Sequence, residues 1–193
     1  MSKISLIFYW VFFAVLNLKA SEYEITVLAT NTANFGGIGE WSFSALLESD
    51  DEKILFDTGF NENTVLHNAN LLGKDLSQVE KVILSHFHGD HTGGLIKLRK
   101  TFKEINPKAF STVYVADGFF EQRYDENGEL RGFIGGFNDV DNFLKETDDL
   151  GIRFVILKEP IEISKNLYLS GPVERIHERV VVSPGFYLKK DGL

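Results

Sequence analysis

Near the middle of a chain of 193 residues stands the stretch Ser85-His86-Phe87-His88-Gly89-Asp90-His91-Thr92-Gly93-Gly94. Three of the five histidines of the protein fall within it. An apolar segment, residues 82–84, leads into the stretch, and a helix pattern that starts after Gly94 leads out of it. This context predicts that the polar side chains converge at the carboxyl end of a strand, which a plain solvated loop would not do.

The spacing of these side chains suits a metal centre. His86 and His88 would leave an extended chain on the same side, so that two imidazoles converge on one cation. Gly89 would let the backbone bend and turn Asp90 and His91 toward a neighbouring position, where a second cation could share a bridging hydroxide. The chain has no cysteine, and mixed histidine and carboxylate ligands suit Zn²⁺ and also accept Fe or Mn.

A second motif, Asp57-Thr58-Gly59, ends the strand pattern that precedes the next helix. The motif lies one strand and one helix before the histidine cluster. This position predicts that Asp57 does not bind the metal itself and instead hydrogen-bonds the loop that carries the ligands. Taken by itself, the motif is equally typical of an ordinary turn aspartate.

Around the two motifs, strand and helix patterns alternate, which predicts an α/β fold with part of its sheet antiparallel. The first three strands are expected to form an antiparallel meander, and residues 125–138 a Gly-rich surface loop near the site. The predicted strands are residues 23–29, 41–48, 53–56, 82–84, 111–116, 153–157, 161–170 and 179–188. The predicted helices are residues 61–72, 95–100 and 140–150.

Composition narrows the class of protein. Apolar residues make up 44% of the chain and charged residues 25%, as in ordinary globular domains. The net charge of −8 disfavours binding to nucleic acid. Residues 1–20 join a short basic start to an apolar run, which predicts a signal peptide and export to the periplasm or the medium. An uncleaved membrane anchor and a buried helix are the alternatives; after leader removal no membrane span is expected.

The two motifs together resemble the metallo-β-lactamase superfamily, whose fold is a four-layer αββα sandwich. Residues 34–39, Trp41-Ser42 and Gly171-Pro172-Val173-Glu174-Arg175 resemble the dihydropterin-ribofuranosylaminobenzene-phosphate-synthase-like branch, so that the resemblance covers roughly residues 23–193. It implies that His86 and His88 bind a first metal ion and that Asp90 and His91 bind a second. It also implies that Asp90 orients the bridging hydroxide or takes its proton.

Further ligands that the family supplies later in the chain cannot be placed, because His177 stands among charged residues typical of a solvated strand end. We therefore expect the N-terminal half of the sandwich with part of the second half, a C-terminally incomplete domain over residues 21–193. Such a chain would leave part of its sheet uncovered, bind metal weakly, and associate with a complementary chain or a second copy.

Other residues are weaker candidates. His67 fits a surface or capping position, and Arg131 or Arg175 could hold an anionic group of a substrate. Five aromatic residues could line an apolar pocket, although ordinary core packing fits each of them better: Phe119, Phe120, Tyr124, Phe133 and Phe137.

The motifs predict a metal-dependent hydrolase in which a metal-bound hydroxide attacks a small-molecule phosphodiester, lactone, thioester or related ester. A complete site would hold two ions, Zn²⁺ before Fe or Mn. The alternative is a non-catalytic metal-binding or interaction remnant of such an enzyme.

Overall fold

A mixed sheet of six strands forms the centre of the protein. The computed structural model describes residues 23–125, 127–131, 137, 139–173 and 187–188. The strands are β1 (Glu24–Ala29), β2 (Ser44–Glu48), β3 (Lys53–Phe56), β4 (Val79–Ile83), β5 (Thr112–Ala116), β6 (Arg123–Tyr124), β7 (Leu130–Arg131), β8 (Arg153–Leu157), β9 (Ile161–Ser164), β10 (Leu167–Leu169) and β11 (Tyr187–Leu188). The helices are α1 (Thr64–Leu71), α2 (Gly89–Thr92), α3 (Leu95–Phe102) and α4 (Val140–Asp149).

The order of strands in the large sheet is β1-β2-β3-β4-β5-β8. The first three strands pair antiparallel, which confirms the predicted meander, and β3, β4, β5 and β8 run parallel. Because parallel strands end at the same edge of a sheet, the loops after these four strands meet there. The loop with the histidine cluster follows β4, and Asp57 follows β3 directly. The mixed α/β fold predicted from the sequence is confirmed.

Three helices cover one face of the sheet. Their buried side chains include Val65 and Ala69 of α1, Leu98 of α3 and Phe143 of α4. They pack on alternate, fully buried sheet residues: Leu28, Leu46, Leu55, Val82 and Val113. Burying one such side chain contributes about 1.5–3 kcal/mol, so the packing of this layer stabilises the fold.

The opposite face is also apolar but is only partly covered. A hairpin of β9 and β10 packs there, with Ile163 against Ile54 and Ile83. Toward β1 the face is open: Ile25 and Val27 are 64% and 47% exposed.

Several predicted elements differ from the structure. The fourth strand runs over Val79–Ile83 instead of residues 82–84. The second strand begins at Ser44 instead of residue 41, and Trp41 is 79% exposed in the preceding loop. Residues 161–170 form a hairpin instead of one strand, because Asn166 takes a positive φ of 62° at its turn. The predicted loop 125–138 contains the short strand β7, which pairs with β6.

Some predictions lie outside the described residues, among them the signal peptide over residues 1–20 and most of the last predicted strand, residues 179–188. In the part of the chain that the structure describes, no helix combines the length and apolar character needed to cross a bilayer.

Close backbone contact joins the two motif loops. A Cβ on Gly93 would stand 2.0 Å from the carbonyl oxygen of Phe60, and one on Gly94 would stand 2.2 Å from that of Thr58. Gly93 has an ordinary helical φ of −61°, so it is required for space and not for backbone freedom. The Gly93 amide donates to the Gly59 carbonyl at 2.9 Å.

We predict that Gly93→Ala lowers the free energy of unfolding by about 3 kcal/mol or more, because the methyl group overlaps a backbone oxygen that cannot move alone. Gly73→Ala is the matched control, since Gly73 has a φ of 66° and open space around it. That variant should lose only about 1–2 kcal/mol, the cost of a left-handed alanine. Urea unfolding followed by circular dichroism measures both; an equal loss would contradict the contact.

Candidate metal centre

The carboxylate of Asp57 is the anchor of the site. It is 1% exposed and follows β3 with a positive φ of 54°. Its Oδ1 accepts a hydrogen bond from the Ser85 amide at 2.7 Å. Its Oδ2 accepts one from the Ser85 hydroxyl and one from Nδ1 of His91, both at 2.7 Å. The buried carboxylate of Asp57 therefore accepts three hydrogen bonds from the segment that follows β4.

Further hydrogen bonds, which end on main-chain carbonyls of His91 and Asp90, hold the same segment in place. The amide and the hydroxyl of Thr58 both donate to the His91 carbonyl, at 2.7 and 3.0 Å. The Phe43 amide donates to the Asp90 carbonyl at 3.4 Å. Gly89 begins the short helix α2 without a positive φ, so the predicted bend is a helical turn that needs no glycine freedom.

These hydrogen bonds determine which nitrogen of each ring is free. The Ser85 hydroxyl has a single proton, which it donates to Asp57, so at 3.0 Å it accepts from Nδ1–H of His86. His91 donates its Nδ1–H to Asp57. In both rings Nε2 is then the atom with a free lone pair, as a metal ligand requires.

Three of the four predicted metal ligands, His86, Asp90 and His91, form one group, and His88 stands beside them and is not part of it. The ring centres of His86 and His91 are 4.1 Å apart, and those of His86 and His88 are 4.6 Å apart. This closeness arises from a bend over residues 85–87 and not from strand alternation, because β4 ends at Ile83. Among the described residues, the potential ligand atoms of His86, Asp90 and His91 all lie within 4.8 Å of one another.

Burial and charge shift the three rings differently. Burial is the main cause that lowers the pKa of His86 from 6.5 to about 4, with further lowering by the nearby His91 and His88. Burial also lowers the pKa of His88. The hydrogen bond to Asp57 raises the pKa of His91. At neutral pH, His86 and His88 are uncharged and ready to accept a cation.

An arginine that neither sequence motif predicts stands beside the cluster. The guanidinium carbon of Arg123 lies 3.6 Å from the centre of the Phe87 ring, a cation–π contact. The Phe87 ring centre is 4.7 Å from that of His88. Arg123 follows Phe87 by more than thirty positions, so only the fold reveals the contact.

A cleft of about 400 Å³ opens beside Ser85 at the carboxyl edge of the sheet. Its walls are mainly apolar and include residues at the ends of β3, β4, β5 and β8. The lining residues are Phe56, Ile83, Leu84, Ser85, Tyr114, Val115, Ala116, Leu157, Leu169, Ser170, Gly171, Pro172 and Val173. Ser85 is the residue of the histidine motif that lines this cleft.

The other candidates are placed elsewhere. Nε2 of His67 bonds to the Gly36 carbonyl at 2.8 Å, which makes His67 a loop contact. Phe119 is buried in the core, and Phe120 and Phe137 pack against it, as the core-packing alternative predicts. Tyr124 lies in β6, and Arg131 in β7. Phe133, Arg175 and His177 lie outside the described residues.

A family model for the metallo-β-lactamase superfamily matches residues 42–162. The chain belongs to the metallo-β-lactamase superfamily. Tm1679, a solved structure described as a metal-dependent hydrolase of the β-lactamase superfamily, superimposes with a TM-score of 0.59 at 26% identity. The superposition covers 89% of this chain and 56% of that one.

Two proteins of Methanocaldococcus jannaschii are similar in sequence. An uncharacterized protein is 32% identical over 168 residues, which are 87% of this chain and 59% of that protein. The 7,8-dihydropterin-6-methyl-4-(β-D-ribofuranosyl)-aminobenzene-5′-phosphate synthase is 30% identical over 164 residues, 81% of this chain and 52% of that protein. The resemblance to this branch is confirmed, and the chain spans little more than half the length of these relatives.

We predict that in the metal-free protein His86 and His91 titrate on opposite sides of 6.5, which NMR of the imidazole nitrogens measures. An unfolded chain binds a proton near 6.5, so His86 makes the fold less stable as the pH falls from 6.5 toward about 4. The contribution of His91 is present in full below 6.5 and is lost as the pH rises through its raised folded pKa.

The variant Asp57→Asn removes the charge that raises the pKa of His91. Its His91 should titrate below the wild-type value, and its Nδ1–H signal should weaken. An unchanged His91 titration in this variant would contradict the assigned hydrogen bond.

Proposed function

We propose that this chain is a metal-dependent hydrolase of ester-type small molecules, with phosphodiesters, lactones and thioesters as the candidate substrate classes. One observation carries the proposal. The Nδ1 atoms of His86 and His91 are occupied by hydrogen bonds to Ser85 and Asp57, which leaves both Nε2 atoms free to bind divalent cations close to Asp90.

The donor set fits a divalent cation. Nε2 of His91 lies 3.6 Å from Oδ2 of Asp90. Two ligands about 2.1 Å from one tetrahedral Zn²⁺ are separated by roughly 3.4 Å, so only a small movement is needed. By resemblance to the family, His86 and His88 would hold one ion and Asp90 and His91 another. Zn²⁺ is the proposed metal; Fe or Mn would accept the same ligands.

A bound divalent cation would lower the pKa of water and polarise the ester, which supplies a nucleophile near neutral pH. The chain's own residues then complete the reaction. Asp90 accepts or orients a proton of the attacking water, and Asp57 keeps His91 in the tautomer that presents Nε2. Water is added across the ester bond: its oxygen joins the acyl or phosphoryl centre, the proton that Asp90 accepts passes to the leaving alcohol or thiol, and the other proton stays with the acid product.

The relatives support this proposal without deciding the substrate. Tm1679 is named a metal-dependent hydrolase, whereas the similar protein of M. jannaschii is named a synthase of a 5′-phosphate. The apolar cleft beside Ser85 supports a small organic substrate. A non-catalytic metal-binding module is the alternative.

We predict that the purified chain binds Zn²⁺ and that His91→Ala lowers the affinity at least about tenfold, because it removes a nitrogen ligand. His67→Ala is the matched control, since that ring bonds to Gly36 instead. Calorimetric titration with zinc measures both variants. Equal zinc affinity in His91→Ala and wild type would contradict the assignment of ligands.

Hydrolysis is tested on the zinc-loaded chain with chromogenic phosphodiester, lactone and thioester substrates. Turnover of one class that is lost in Asp90→Asn supports the hydrolase. Tight zinc binding without turnover of any class would favour the non-catalytic module instead.

A further inference from the structure

Arg123 brings a positive charge to the rim of the metal centre. Its guanidinium stacks on Phe87, the residue between His86 and His88. The guanidinium carbon lies 3.6 Å from the centre of the Phe87 ring. The Phe87 ring centre lies 4.7 Å from that of His88. The guanidinium therefore stands beside the segment that carries two of the proposed metal ligands.

The charge of Arg123 is not neutralised by a carboxylate within the described residues. Its terminal nitrogens donate to two backbone carbonyls, those of Glu121 and Gly118, the latter at 3.3 Å. These contacts occupy two of the five N–H donors of the side chain. The Glu121 carboxylate interacts with Arg123 by charge alone and forms no ion pair with it in the described residues. Burial lowers the pKa of Arg123, but an arginine side chain stays charged in proteins.

A partly buried cation beside a dication site is unfavourable unless an anion neutralises both. Stacking on Phe87 occupies the flat face of the guanidinium and leaves its edge to donate hydrogen bonds, the geometry in which arginine binds phosphate. Of the candidate substrate classes, lactones and thioesters are neutral at the reacting group. A phosphodiester carries a negative charge there.

We infer that Arg123 is an anion-binding residue of this site and that the substrate is a phosphate ester, whose negative oxygens lie between the guanidinium and the metal ions. This inference rests on the proposed function. Arg123 acts by direct hydrogen bonds to the substrate phosphate. A purely structural role, supporting Phe87 and the turn at residues 118–121, is the alternative.

The experiment compares two substrates of the zinc-loaded full chain, anionic bis(4-nitrophenyl) phosphate and neutral 4-nitrophenyl acetate. Arg123→Met keeps an apolar side chain over Phe87 and removes the charge. Arg123→Lys keeps the charge but lacks the paired N–H donors of the guanidinium. Arg153→Met is the matched control, because Arg153 pairs with Thr112 at the opposite end of the parallel strands. Circular dichroism melting checks that each variant is folded.

In Arg123→Met, the ratio of kcat/KM for the phosphodiester to that for the acetate should fall at least about tenfold, through a higher KM for the phosphodiester. Arg123→Lys should recover part of the ratio, and Arg153→Met should keep the wild-type ratio. An equal loss on both substrates, or no loss on the phosphodiester, would overturn the inference in favour of the structural role.

Binding of inorganic phosphate separates this inference from the proposed function. NMR titration of the metal-free chain should show phosphate shifting the Arg123 and Phe87 signals in the wild type and not in Arg123→Met. If the zinc-loaded chain hydrolyses neither substrate, the proposed function fails, and loss of phosphate binding in Arg123→Met still supports the anion site. Absence of phosphate binding in the wild type would overturn the anion site even if hydrolysis is found.

Discussion

The buried carboxylate of Asp57 accepts hydrogen bonds from the amide of Ser85, the hydroxyl of Ser85 and the ring of His91. Leaving such a buried charge without its partners costs several kcal/mol, so the loop after β4 cannot move away from β3. The other contacts between the two motifs depend on these hydrogen bonds to Asp57. They include the close approach of Gly93 and Gly94 to the backbone of residues 58–60. Parallel pairing of β3 with β4 makes it possible, because both loops leave the sheet at the same edge.

The same three hydrogen bonds connect the fold to the chemistry. They occupy Nδ1 of His91 directly, and Nδ1 of His86 through the Ser85 hydroxyl, before any cation is bound. A site whose tautomers are already selected binds a cation without rearranging its rings, which is how positioning residues raise metal affinity. Burial adds to this effect, since it keeps His86 neutral over the physiological range of pH.

Much of this architecture could be predicted from the sequence, because its signals are local. The His-x-His-x-Asp-His spacing and Asp57 at the end of a strand pattern predicted both motif loops, and apolar alternation predicted the meander. Contacts between distant segments could not be predicted this way. The link from Ser85 to His86 depends on a carboxylate 28 positions away, and the stacking of Arg123 on Phe87 depends on the turn after β5. Ser85 stands directly before the cluster, and this position is the local signal in the sequence for its contact with His86. The exposed Trp41 and the turn at Asn166 were missed because alternation continues across both positions.

The most direct test of this account is a crystal structure of the zinc-soaked protein with anomalous diffraction at the zinc edge. The assigned tautomers predict zinc bound through Nε2 of His86 and through Nε2 of His91 beside Asp90, with the Nδ1 atoms still bonded to Ser85 and Asp57. Zinc coordinated through Nδ1 of either ring, zinc only on residues outside the motif, or no peak in a zinc-saturated crystal would contradict this assignment.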